Sequence, residues 1–314
     1  MKSTLSRRNE RARAPRRGSC QHSTCISRAS KDVDEHSRAY FGSDGDKVHR
    51  SDGHPTMGWV TSILLFAGTT EATQIAETLV RDHHVDVLSS LAGVTTDPVQ
   101  RFGRIRSGSF GGTEGLIRHL RTQPVDAIVD ATHPFAAVMP FHVAAAAKAT
   151  SIPHCRVVRP AWVPTSEDHW TEVVDLVGAA EALRAHGARR VMLSIGRQGV
   201  AHFADLDDWF LIRAIEGPDE VPRHHQLIMS RGPFALDSER ELLRTHRIDV
   251  IVTKNSGGDS TSAKLICARE LGIHVVMVAR PRQPDVTTVS KVAQAVSWLD
   301  EVVGLSAASY VRGV

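Results

Sequence analysis

Aromatic residues are scarce in this chain, at 5% of 314 positions, and cysteines number only four. A core with so little aromatic surface must be built from Val, Leu, Ile and Ala, the balance found where parallel strands are buried on both faces. Cys20 and Cys25 stand in an Arg- and Ser-rich leader. Cys155 and Cys267 stand in apolar contexts without CxxC spacing, so they read as small buried hydrophobes in a reducing compartment rather than as metal or redox pairs. No hydrophobic run approaches the roughly 18–20 residues needed to cross a bilayer. The opening residues MKSTLSRRNERARAPRRGS lack the apolar stretch of a secretory signal. A cytoplasmic protein with no membrane partner is the expectation. Neither GxSxG nor HExxH occurs, and no two histidines have HxxxH spacing, so serine-hydrolase chemistry and a resident metal are not expected. His83-His84 and His224-His225 read as exposed pairs.

The net charge of +3 comes from one end. Residues 1–56 carry 12 Lys and Arg against 7 Asp and Glu, whereas the remainder carries 26 against 28. A nucleic-acid footprint needs a basic face on the folded part, and composition supplies none. Residues 1–57 show no hydrophobic period and read as a disordered extension. Either this is an Arg/Ser tail for an anionic partner, or Met57 is the true start. The second reading is favoured because a buried strand begins soon after Met57.

From there short aliphatic runs alternate with segments of helical period. Strands are expected at 61–67, 86–90, 127–130, 154–158, 190–195, 209–214, 249–253 and 274–279. Helices are expected at 71–82, 116–121, 138–150, 176–186, 237–245, 261–271 and 291–302. Such alternation predicts an α/β fold of two Rossmann-like parallel-sheet domains, at 58–158 and 159–305, followed by a tail at 306–314. The proline-containing stretch 159–168 is the candidate linker.

In open parallel sheets ligands bind beyond the carboxyl ends of the strands, so the loops there carry the chemistry. The first such turn, Gly68-Thr69-Thr70-Glu71, follows the first strand and opens a helix. A glycine there lets backbone approach a phosphate, although one glycine equally serves a tight turn with a Thr N-cap. Asp130-Ala131-Thr132-His133-Pro134 follows another strand, and Pro134 disfavours helix at His133, holding it at the strand tip as a proton donor or as a loop-packing residue. The glycine-rich stretch from Ser107 to Gly112 either hugs a ligand or merely connects. Lys254-Asn255-Ser256-Gly257-Gly258 repeats the strand–glycine loop–helix pattern, with a cation suited to a carboxylate. Lys264, early in the next helix, reads as a surface residue. Arg159, Arg197, Arg213, Arg231 and Arg280 lie beside loops; singly each reads as solvated or paired, but gathered at facing strand ends they would bind a polyanion.

These residues resemble the precorrin-6A reductase family. Phe110-Gly111-Gly112, DATHPFAA (130–137), RPAW (159–162), GRQ (196–198), SRGPF (230–234), TKNSGG (253–258), AKL (263–265) and ARP (279–281) occur in the family's order across about 63–289. The resemblance implies a cytoplasmic two-domain enzyme, monomer or homodimer, that reduces a double bond of the polycarboxylate tetrapyrrole precorrin-6A with NADPH, giving precorrin-6B in cobalamin synthesis. It further implies that the cofactor lies chiefly on the first domain and the macrocycle in the cleft, and that a strand exchange links the domains. The cofactor residues it implies are Gly68, Thr69, Thr70, Glu71, Ser90, Ala92, Gly93, Gly111, Gly112 and Thr132. The macrocycle residues are Arg197, Gln198, Arg231, Lys254, Asn255, Ser256 and Gly257, with His133 and Thr132 at the chemistry and His133 the candidate proton donor. The alternatives are the cobalt-precorrin-6A substrate of the anaerobic pathway, a non-catalytic NADPH-binding module, or a reductase of another small metabolite.

The chain departs from the family pattern in two places. Ala67 stands where the family usually has the first Gly of its turn, and a methyl there could restrict it. Val94 stands where SLAG is often followed by Arg. If that Arg holds the 2′-phosphate of NADPH, another donor is needed here, Arg104 or Arg106.

Overall fold

The five central residues of the first aliphatic run are all buried, and the same holds along the chain wherever a run of this kind meets a helix of matching face. In a computed structural model that describes residues 61–91 and 102–305, the elements follow in order. The first series is β1 (Ser62–Phe66), α1 (Thr70–Asp82), β2 (Asp86–Leu91), β3 (Arg104–Ser107), α2 (Gly112–Thr122), β4 (Ala127–Asp130), α3 (Met139–Thr150) and β5 (His154–Val157). The second is β6 (Trp170–Val173), α4 (Leu176–His186), β7 (Arg190–Ser194), a 3₁₀ segment (Arg197–Phe203), β8 (Trp209–Ala214), β9 (His224–Met229), α5 (Leu236–Thr245), β10 (Val250–Lys254), α6 (Ala263–Leu271) and β11 (His274–Val278). The chain ends on β12 (Thr288–Val289) and α7 (Val292–Val303).

Two six-stranded, all-parallel sheets result, in the orders β12-β5-β4-β1-β2-β3 and β6-β11-β10-β7-β8-β9. Both read outward from a central pair as the doubly wound order, with the switch point between β1 and β4 in one sheet and between β7 and β10 in the other. The sixth position of each is filled by exchange: β6 follows β5 in the chain yet pairs with β11, and β12 follows β11 yet pairs with β5. Residues 159–305 therefore do not stay with one sheet, as the boundary read from sequence supposed. Ala295 and Leu299 of α7 join the first sheet's core with Ile63, Ile75 and Val129.

Buried faces explain the helices. Ala72, Ile75, Ala76 and Leu79 of α1 lie on one stripe, and Thr69 caps it by accepting from the Ala72 N–H. Asp175 caps α4 in the same way, and Gly187 ends it in the left-handed conformation. Cys155 and Cys267 are free and buried, as expected. The stretch 159–168 is irregular but is no solvated linker, because Trp162 exchanges backbone hydrogen bonds with the Asn255 side chain and donates its indole N–H to the Gly258 carbonyl. His83 is half-buried rather than exposed, since it caps the end of α1, whereas His84, His224 and His225 are exposed. Among the described residues no helix is long and apolar enough to cross a membrane, and no group of three His, Cys, Asp or Glu could hold a metal.

Candidate functional site

The carboxyl ends of the two sheets meet. Arg159, just after β5, pairs with Glu71 at the start of α1 at 3.0 Å and donates through Nε to the carbonyl of Ser256 beyond β10 at 2.7 Å. The Lys254 ammonium lies 5.5 Å from the centre of the Phe135 ring, which itself packs into the second sheet's core. The loops after β1, β4, β5, β10 and β11 are thereby gathered at one place, where this architecture positions ligands.

On the first sheet, Gly68 and the Thr132-His133 loop flank the switch point. Among the described residues, a Cβ placed on Gly68 would meet nothing nearer than the His133 amide nitrogen at 3.9 Å. The Ala67 methyl does not restrict this turn, being buried in the core beneath. The Thr69 hydroxyl accepts from the Ala72 N–H and donates to the Ala131 carbonyl, so the donor expected of it is already committed. What the turn offers an anion is the positive end of α1 and the leading N–H groups of that helix, which have no intrahelical acceptor. Glu71 is engaged by Arg159 and contributes through that bridge. Gly111 and Gly112 open α2 with positive φ, and Ser90 accepts a hydrogen bond from Arg106. Ala92, Gly93 and Val94 lie outside the described residues.

Beneath this loop runs a buried network that sequence reading missed. The Asp130 carboxylate accepts from the Thr132 N–H (3.0 Å), the Thr132 hydroxyl (2.7 Å) and Arg156 Nε (2.7 Å). Arg156 donates through Nη1 to Gln283 at 2.7 Å, and Gln283 donates to the carbonyl of Pro134 at 3.1 Å. The segment that carries β12 across to the first sheet is thus tied to the loop that presents His133. Only an Arg inside an aliphatic strand (HCRV) hinted at this in the sequence.

His133 accepts from the Phe135 N–H through Nδ1, so the neutral ring carries its proton on Nε2. Burial first, then the positive charges of Arg159, Lys254 and Arg280, push its pKa from 6.5 down to about 3. The imidazole is therefore neutral at physiological pH, against the expectation of a ready proton donor drawn from its ordinary pKa. The Thr132 hydroxyl proton is also committed, to Asp130.

The second sheet supplies cations. Arg280 donates to the carbonyls of Asn255, Arg159 and Ser256, and Lys254 has its pKa lowered by burial; among the described residues neither has a carboxylate within ion-pair distance. Arg197 lies 3.8 Å from Glu216 in the next strand-end loop, and Gln198 and Arg231 are exposed on the same edge. Asn255 uses both ends of its amide on Trp162. A Cβ on Gly257 would fall 2.0 Å from the Pro160 carbonyl oxygen, so this glycine is demanded by the 159–162 segment packed on it. Ser256 gives its carbonyl to Arg159 and Arg280. These three residues form the wall against which Arg159 and Arg280 are held. Lys264 is not at the surface: it is 2% exposed, donates to the Thr261 carbonyl, lies over the Trp162 ring at 4.7 Å, and neighbours the buried Arg213–Glu239 pair. Helical period alone could not show this, since the covering residues come from the 159–162 segment.

Comparison with known proteins agrees with this geometry. The precorrin-6A reductase of Rhodococcus erythropolis is 51% identical over 243 residues, covering 76% of this chain and 98% of that protein. That of Mycobacterium tuberculosis is 44% identical over the same shares. A solved structure of the CobK precorrin-6A reductase matches with a TM-score of 0.73 at 35% identity, covering 78% of this chain and 100% of the other. The sequence profile of the precorrin-6x reductase CbiJ/CobK family matches residues 62–300, and with these likenesses it establishes that the chain belongs to that family.

Proposed function

We propose that this protein reduces a carbon–carbon double bond of precorrin-6A, with NADPH as the reductant. The observation that carries the reading is the cation cluster at the facing strand ends: Arg159, Lys254 and Arg280 surround the buried His133 and add to the burial that lowers its pKa to about 3, and among the described residues Glu71 is the one carboxylate paired with them. A site so charged calls for a ligand bearing several carboxylates, which a tetrapyrrole of this pathway is. The Gly68 turn fits a dinucleotide phosphate, because it heads a helix whose N–H groups are turned to the strand ends. When bound, NADPH supplies the hydride.

The chain's own residues bind and orient. Lys254 is desolvated, with no carboxylate at ion-pair distance among the described residues, a cost that a substrate carboxylate would offset. Arg280, pinned by three carbonyls, holds its charge in place before substrate arrives, so little reorganisation accompanies binding. His133, a neutral imidazole, presents Nε2–H as a hydrogen-bond donor to the bound reactants rather than as an acidic proton, and the proton for the second carbon comes from solvent or a substrate carboxyl. Incubation of the purified protein with precorrin-6A and NADPH, followed by mass analysis, is expected to show a gain of two hydrogens with matching loss of the reduced cofactor's near-ultraviolet absorbance. No mass change with metal-free substrate but turnover of the cobalt-loaded one would reassign the substrate. Dinucleotide binding with turnover of neither would leave a binding module.

A further inference from the structure

Two arginines of β3 sit two residues apart on one strand, and the tertiary structure sends them to different ends of the sheet. Arg104 is registered with Leu88 and reaches back to Asp86 at the start of β2, forming two hydrogen bonds of 2.9 and 2.6 Å with its carboxylate. It is spent on the amino-terminal edge. Arg106 is registered with Ser90 at the carboxyl end, one strand removed from the Gly68 turn. In this sheet order the carboxyl end of the strand beside the first is where the far ribose of a dinucleotide falls when its pyrophosphate rests on the first turn.

The Arg106 guanidinium is preset. It lies 3.5 Å above the Phe110 ring, and Nη1 donates to the Ser90 hydroxyl (3.1 Å) and the Gly108 carbonyl (3.0 Å), while Nη2 donates to the Ser109 carbonyl (3.3 Å). Of the five N–H donors of a guanidinium, these use three, and among the described residues nothing takes Nε–H or the second Nη2–H. Among the described residues no carboxylate pairs with it, in contrast to Arg104. A stacked, partly desolvated cation with two donors to spare is a receptor for a phosphate.

We propose that Arg106 is the residue by which this chain selects NADPH over NADH, pairing with the 2′-phosphate. The inference rests on the NADPH reading above and adds the residue that discriminates. Ser109 belongs to the same device: its carbonyl fixes the guanidinium, and its hydroxyl accepts from the Gly111 N–H, holding the loop at the start of α2.

The experiment is equilibrium titration of the full chain and of Arg106→Ala, Arg106→Lys and Arg104→Ala with NADPH, NADH and 2′,5′-ADP, each followed by nicotinamide fluorescence or calorimetry. Loss of charge-assisted hydrogen bonds to the phosphate is expected to weaken NADPH and 2′,5′-ADP binding to Arg106→Ala about 10- to 100-fold. NADH binding should stay within about twofold, Arg106→Lys should recover part of the loss, and Arg104→Ala should bind all three as the parent does. A salt dependence of NADPH affinity that flattens in Arg106→Ala would support the same conclusion. Equal weakening of NADPH and NADH, or an unchanged ratio, overturns the assignment while leaving the NADPH reading intact. A parent protein that binds neither dinucleotide, or both alike, overturns the reading itself.

Discussion

Asp130→Asn tests how much of the site is held by the charge buried beneath it. Asp130 and Arg156 have side chains 0% and 2% exposed and meet at 2.7 Å. Asparagine keeps the size of aspartate, and its carbonyl oxygen can still accept from the Thr132 N–H and hydroxyl. Its NH₂ group, however, would face Arg156 Nε donor to donor, and the guanidinium would keep only Gln283 as a partner for a full buried charge. Removing one member of such a pair costs about 3–5 kcal/mol. At roughly 2–4 °C per kcal/mol for a folded unit of this size, the melting temperature should fall by about 6–20 °C. Urea unfolding followed by far-ultraviolet circular dichroism gives the free energy directly, with an unchanged m value showing that the cost lies in the native state. Arg156→Met in the same chain removes the stranded charge, so the double variant should be less damaged than the sum of the singles by about 2 kcal/mol or more. A loss under about 1 kcal/mol for Asp130→Asn, or strict additivity, would refute the claim that this pair holds the His133 loop to the crossing segment.

Lys264 makes stability depend on pH on the alkaline side. Burial and the nearby Arg213 hold its pKa at about 7 against 10.5 in the unfolded chain. Between these values the unfolded state binds the extra proton, so stability should rise with pH across that window, by up to about 1.4 kcal/mol per unit. Lys264→Met should flatten the slope in urea titrations between pH 7 and 10, and a parent protein with no such slope would show that the ammonium is solvated. His133 is neutral in the free enzyme down to about pH 3, so kcat/KM should show no inflection near pH 6.5 that disappears in His133→Gln. The variant should lose about tenfold in kcat while binding NADPH within about twofold. An inflection near pH 6.5 present in the parent and absent from the variant would restore His133 as an acid.

The central strands were legible because their environment leaves a mark: β1 (SILLF) and β10 (VIVTK) are apolar runs, and such runs are what two covered faces require. The expected bounds of α4 and β8 coincide with those observed. The strands that went unread, β3, β6, β9 and β12, are the four at the sheet edges, where one side meets solvent and sequences such as RIRS and HHQLIM carry no continuous apolar run. The strand-tip motifs DATHP and KNSGG marked the right edge of each sheet. That Asn255 and Gly257 are packed on by residues nearly a hundred positions earlier was not legible, because such contacts leave no local mark.

The sequence by itself determined an α/β chain with two parallel sheets, the carboxyl edges where chemistry belongs, and the family, since hydrophobic period and strand-tip residues are local properties. Tertiary structure alone decided which strands make the exchange, β6 and β12, the burial of Lys264, the neutrality of His133, and the separate fates of Arg104 and Arg106. Each of these depends on which distant groups share a few ångströms of low-dielectric space, and the field and desolvation that act across such distances have no counterpart in residue order.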